Sequence, residues 1–275
     1  MPMDFSNITN PRLWRLMLQV DSENIRFAVS STVEDASLAQ ASVCLDSSQA
    51  FGKALEDAVY SIPGLLSDFG SIDILVRTSA YTLVPPEVNT ENAIACAEYA
   101  KIADDDTDDI LLQESAGGCT IVWACSEAII NFLRRTFPTA RIKPHIAPLL
   151  SYFGRQASTG NCGKIYMHLC EQPREADIMA YGNDGKLLGA FTKPFEQDAD
   201  ICYAAIATAK TFGMNVGSHD EIQLCGDSCR RSTLMPVLRR FAPRTVPLIF
   251  PSAAMRAGIE AFKAPFPLIL LPLCE

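Results

Sequence analysis

KIYMHLCEQPREADIMAYGNDGKLLGAFTK, residues Lys164 to Lys193, holds three short runs of strand-forming residues: Lys164 to Leu169, Asp177 to Tyr181 and Lys186 to Lys193. Gly182-Asn183-Asp184-Gly185 joins the last two, and these residue types accept the backbone angles of a tight hairpin. Downstream, the apolar spacing of Ile201, Ala205, Ile206 and Ala209 predicts a helix over about Gln197 to Phe212, stopped by Gly213. A strand at Glu221 to Cys225, a helix at Arg230 to Phe241, a strand at Val246 to Phe250 and a helix at Ser252 to Phe262 complete this half.

The same order stands upstream. Leu13 to Ser31 reads as two strands around the polar turn DSEN, and Ala36 to Leu45 supplies a third. A helix from about Gln49 to Leu66 and a strand at Ile72 to Thr78 follow, then a helix near Glu91 to Ile102 and the acidic turn DDDTDD at Asp104 to Asp109. Ile110 to Glu114 and Cys119 to Cys125 pair as a hairpin around Gly117-Gly118, and a helix runs from Ser126 to Phe137. Three strands, helix, strand, helix, occurring twice, predicts a duplicated α/β chain with mixed sheets. The turn-rich residues 150 to 163 are the expected exposed joint, dividing the chain into residues 1–155 and 156–275.

With 275 residues and 48% hydrophobic content, the chain can bury a sizeable core. Its longest apolar run, Pro265 to Cys274, is about half the ~20 residues that a membrane span needs and is broken by Pro267 and Pro272. It is expected as a buried edge element that packs as an edge strand or docks on another molecule. A formal charge of -9 disfavours nucleic acid and anionic membrane as partners. The start of the chain lacks a basic segment followed by an apolar one, which predicts a reducing, cytoplasmic setting. Cys44, Cys119, Cys125, Cys170 and Cys225 sit in apolar runs and are expected as buried thiols rather than metal ligands.

Three segments carry a resemblance. Glu221 to Leu238, EIQLCGDSCRRSTLMPVL, resembles the adenosine motif of the actin-like ATPase superfamily, with its glycine turn at Gly226-Asp227 and Ser228 behind it. Met17 to Ser30 resembles that superfamily's first phosphate hairpin, and Lys164 to Glu196 its second. The chain is thus similar to duplicated actin-like, ribonuclease H-like domains, and in layout to the pilus-assembly and type II secretion branch. It also resembles an uncharacterised bacterial family with this fold. The resemblance implies a nucleotide cleft holding ATP with Mg²⁺, with candidate cleft positions Gln19, Asp21, His168, Glu171, Gly226, Asp227 and Ser228.

The hairpins depart from the working pattern. Asp-x-Gly serves this chemistry because the Asp holds the hydrated cation and the Gly admits the phosphate. Here Gln19 and Asp21 stand in those two places in the first hairpin, and His168 and Cys170 in the second. A carboxylate at Asp21 opposes an anion, unless Asp21 is only a solvated turn residue; His168 reads equally as a hydrogen-bonded core histidine. The expectation is a pseudo-enzyme, a binding or scaffolding module without a cofactor. The alternative is a divergent ATPase or small-molecule kinase with Asp21, Glu171 or Asp184 facing the metal. Arg230, Arg231, Arg239, Arg240 and Arg244 form a basic cluster suited to an acidic protein partner or a second copy of the chain.

Overall fold

The computed structural model describes residues 5–103, 108–170 and 172–274. The first half runs β1 (Trp14–Val20), β2 (Asn24–Ser31), β3 (Ala39–Cys44), α1 (Phe51–Tyr60) and β4 (Ser71–Val76). It continues with β5 (Tyr81–Val84), α2 (Thr90–Tyr99), β6 (Asp109–Ala116), β7 (Cys119–Ser126), α3 (Glu127–Thr136), β8 (Arg141–Pro144) and α4 (Ile146–Ala157). The second half holds β9 (Lys164–Cys170), β10 (Glu175–Tyr181), β11 (Leu187–Pro194), α5 (Asp198–Thr211), β12 (Glu221–Gly226), α6 (Ser228–Leu238) and β13 (Thr245–Pro247). Two 3-10 segments, Ser252–Ala257 and Ile259–Phe262, and the short α7 (Phe266–Leu270) follow.

The two large sheets have equivalent strand orders, β3-β2-β1-β4-β8 and β11-β10-β9-β12-β13. In each, three strands form an antiparallel meander, and the fourth and fifth lie parallel to the first. The repeated order of elements is therefore a repeated topology, built of mixed sheets flanked by helices. A third sheet, β5-β7-β6, is inserted in the first half. Its central hairpin turns at Gly117 and Gly118, with φ of 59° and 80°, the two positive angles that a two-residue turn matched to strand twist requires.

Alternation along the central strands assigns each side chain to a layer. Leu16, Leu18 and Val20 of β1 face one core, while Met17 faces another shared with Leu268 and Ile269 of the C-terminal segment. In β9, Ile165, Met167 and Leu169 pack under α5 and α6, and Tyr166 points the other way. Tyr166 stacks on Phe153 of α4 with ring centroids 4.2 Å apart, so aromatic side chains join the halves through one continuous core.

Several expectations change. Residues 150 to 157 are the end of α4, with Leu150, Tyr152 and Phe153 buried, and only 158–163 form turns. Gly154 lies inside this helix, and Pro148 sits in its first turn, where proline is tolerated. The C-terminal run is a helix rather than an edge strand, packed on the face of β1 and β4. The helix expected over Ser252 to Phe262 is two 3-10 segments separated by Gly258. Cys125, Cys170 and Cys225 are buried, Cys119 is half-buried, and Cys44 lies exposed on β3. Three of the aspartates expected in an acidic turn, Asp104, Asp105 and Asp106, lie with Thr107 outside the described residues. Among the described residues no helix is long and apolar enough to cross a membrane.

Candidate functional site

The two hairpins that would flank a nucleotide are tied to each other. Asp21 closes the β1–β2 turn: its Oδ1 accepts from the backbone N–H of Glu23 at 3.0 Å and of Asn24 at 2.8 Å. This Asx-type bonding explains an aspartate at that turn. It is a buried residue, not the solvated tip expected, and its Oδ2 pairs with Arg26 of β2. The Arg26 guanidinium also donates to the Gln172 carbonyl in the β9–β10 turn. Arg26 thus neutralises the carboxylate that was expected to repel an anion, and it bridges the two loops.

Beside this bridge lies a buried polar cluster centred on Asp177. Polar residues in otherwise apolar strands supply it: Arg77 just after β4, His145 at the head of α4, His168 on β9, Asp177 on β10 and Thr192 on β11. Arg77 donates to both Asp177 oxygens, at 3.1 and 3.2 Å, and through Nε to Glu175 at 2.6 Å. Oδ1 of Asp177 also accepts from Thr192 at 2.8 Å and lies 2.9 Å from His145 Nε2; Oδ2 lies 2.8 Å from His168 Nδ1. The Thr78 backbone N–H points at His145 Nδ1, 3.3 Å away, which makes Nδ1 the acceptor and Nε2 the N–H donor to Asp177. One carboxylate therefore anchors groups from both halves.

Burial alone would raise the pKa of Asp177, but Arg77 and the two histidines outweigh it and hold the carboxyl well below its ordinary range. Burial pushes His145 below its ordinary 6.5, and Arg77 adds to this against the pull of Asp177. Both shifts have one sign in stability. Below about pH 6.5 the unfolded chain takes up a proton that folded His145 refuses, so stability falls on acidification by at most ~1.4 kcal/mol per pH unit. The contribution of Asp177 is complete above about pH 4 and is lost as pH falls toward its depressed folded value. Urea unfolding from about pH 7 to about pH 5 should show the first slope in wild type and its reduction in His145→Gln.

Next to the cluster opens a cavity of about 600 Å³ that brings together Gln19, His168, Gly226, Asp227 and Ser228. Gly226 has φ 88°, and a Cβ there would lie 2.1 Å from the Leu169 carbonyl oxygen of the paired strand. Glycine is required by this close strand approach. Asp227 caps α6, accepting from the N–H groups of Cys229 and Arg230, so the helix end that would attract a phosphate already holds a carboxylate.

Other expected positions lie elsewhere. Asp184 sits in the β10–β11 turn, at the far end of the hairpin from Glu175, where its carboxylate accepts from the Lys186 N–H; it faces no cleft. Glu171 lies outside the described residues. The basic cluster is largely consumed: Arg230 pairs with Asp198 and stands over the Phe195 ring at 4.7 Å, Arg244 pairs with Glu221, and Arg239 donates to the Thr245 carbonyl. Arg231 instead lines the cavity. Sequence reading missed Arg26, Arg77, His145, Asp177 and Thr192. The available signal was a charge inside or ending a buried strand, as in IDILVR and ADIMAY.

A hydrated Mg²⁺ with phosphates does not fit these residues. Asp21 is spent on its own turn and on Arg26, every oxygen of Asp177 is taken, and neither hairpin presents a glycine to a phosphate. Among the described residues no group of three or more His, Cys, Asp or Glu side chains could hold a metal ion.

No curated protein matches the chain. A solved structure from Bacteroides thetaiotaomicron VPI-5482, described as a protein with actin-like ATPase fold and unknown function, is 19% identical, with 99% of each chain covered and a TM-score of 0.78. A chain of the PilM-PilN type IV pilus biogenesis complex is 12% identical, with 94% of this chain and 98% of that one covered and a TM-score of 0.52. At these identities the likeness establishes the fold, which is that of the actin-like ATPases. Residues 4–244 match the family described as "Protein of unknown function (DUF3822)", and the chain belongs to that family.

Proposed function

We propose that this chain is a non-catalytic actin-like module that binds or scaffolds other molecules in the cytoplasm. The observation that carries this reading is the Arg26 bridge from Asp21 to Gln172, which ties together the two hairpins that in a working ATPase hold phosphates and places a paired side chain between them. The saturated Asp177 supports it, since no donor-free carboxylate oxygen remains there for a cation or a water. A protein partner fits this role, as in the PilM-PilN complex, and self-association is the second form it can take. The division into halves near residues 155 and 156 belongs to this proposal, with the aromatic core of α4 holding the halves together rather than a flexible linker.

The test is a thermal melt. A ligand bound only by the folded state adds RT ln(1 + [L]/Kd), roughly 4 kcal/mol at a thousandfold excess over Kd. Mg-ATP should leave Tm where Mg²⁺ alone leaves it. A rise of several degrees specific to Mg-ATP would replace this reading with a divergent ATPase or kinase.

A further inference from the structure

The cavity beside the Asp177 cluster contains groups that the fold leaves unpartnered. Oε1 of Gln19 is buried and accepts no hydrogen bond. His168 is 4% exposed; Asp177 holds its Nδ1, and among the described residues Nε2 has no partner. With Nδ1–H donated to Asp177, this tautomer leaves Nε2 as an acceptor. Both residues line the cavity, which sets an imidazole acceptor and an unpaired amide beside it. Its charged lining is Arg26, Arg231, Lys263 and Asp227. Arg26 is paired with Asp21 and Lys263 with Glu260, while Asp227 is turned onto the N–H groups of α6. Arg231 has no ion-pair partner among the described residues, and its charge reaches the buried Cys225 thiol on the cavity floor. Phe250, Phe262 and Phe266 supply an aromatic wall.

We propose that this cavity binds, without metal, a small aromatic carboxylate that carries a hydroxyl: the carboxylate on Arg231, the ring on the phenylalanine wall, and the hydroxyl donating to Gln19 Oε1 or His168 Nε2. A buried acceptor left unpaired costs free energy that a ligand donor recovers, and one uncompensated guanidinium selects a single negative charge. A phosphate cluster would need more cations and free backbone N–H groups, which the capped α6 and the bridged hairpins do not provide. The proposal rests on the reading of the chain as a binding module and names the class of ligand.

The chain has only three histidines, so imidazole nitrogen resonances report on His168 with little overlap. The probes are 4-hydroxybenzoate and its neutral match, 4-hydroxybenzamide. The carboxylate should shift the His168 signals, spare those of His219, and raise Tm by a few degrees; the amide should do neither. Arg231→Gln, on the first turns of α6, should abolish both effects while the His168–Asp177 signal of the free protein persists. Gln19→Met separates binding from structure: relieved of a buried unpaired oxygen, the free protein should melt higher, and the response to 4-hydroxybenzoate should shrink. An unmoved His168 signal with 4-hydroxybenzoate, or an equal response in Arg231→Gln, overturns the proposal. That failure is distinct from the failure of the preceding reading, which only stabilisation by Mg-ATP would signal.

Discussion

Asp177→Ala is expected to cost about 3–5 kcal/mol in urea unfolding, because it leaves the buried Arg77 charge with Glu175 alone and orphans donors from Thr192 and His145 at once. Against a typical total of roughly 5–15 kcal/mol, a loss of that size leaves little reserve. The cost arises from the uncompensated partner more than from the bond itself. Removing both charges, as Arg77→Met with Asp177→Leu, should therefore recover a substantial part of the loss. A double variant as unstable as the sum of the singles would show that the cluster is not a coupled unit. Since Arg77 and Asp177 come from opposite halves, single variants should also open the cleft, seen as faster amide exchange in β9 and β10.

Gly226→Ala is the second large effect. The positive φ alone costs a non-glycine residue about 1–3 kcal/mol, and the added Cβ meets the backbone of Leu169, which cannot swing aside as a side chain would. The strand pair β9–β12 must part or the start of α6 must shift, so the melt should fall by several degrees. Gly52→Ala is the control: beyond its chain neighbours and its own helix backbone no atom lies within 4 Å of the added Cβ, and helix α1 should be unaffected or gain less than about 1 kcal/mol. A Gly226→Ala protein as stable as wild type would mean that the glycine serves a ligand approach instead of strand packing.

The order of elements was legible because it is written in local patterns. Strand-forming runs such as IRFAVSS and KIYMHL, the GNDG and Gly117-Gly118 turns and the helical spacing of Ile201, Ala205 and Ala209 each follow from residues within a turn or two of one another, and the double occurrence of this order predicts the duplicated fold. The departure of both hairpins from Asp-x-Gly was equally local. Short elements were not legible: YTLV and RIKP become strands only by pairing with β7 and β4, and α4 is helical across Pro148 and Gly154 because its aromatic face is buried between the halves. The site divides in the same way. Gln19, His168, Gly226, Asp227 and Ser228 could be nominated from motif position. Only folding shows that Arg26 meets a carbonyl 146 residues away, or that Arg77 meets a carboxylate 100 residues away. Those contacts are made by long side chains reaching across an interface, and a chain's periodicity records which face a residue occupies, not which distant partner that face will meet.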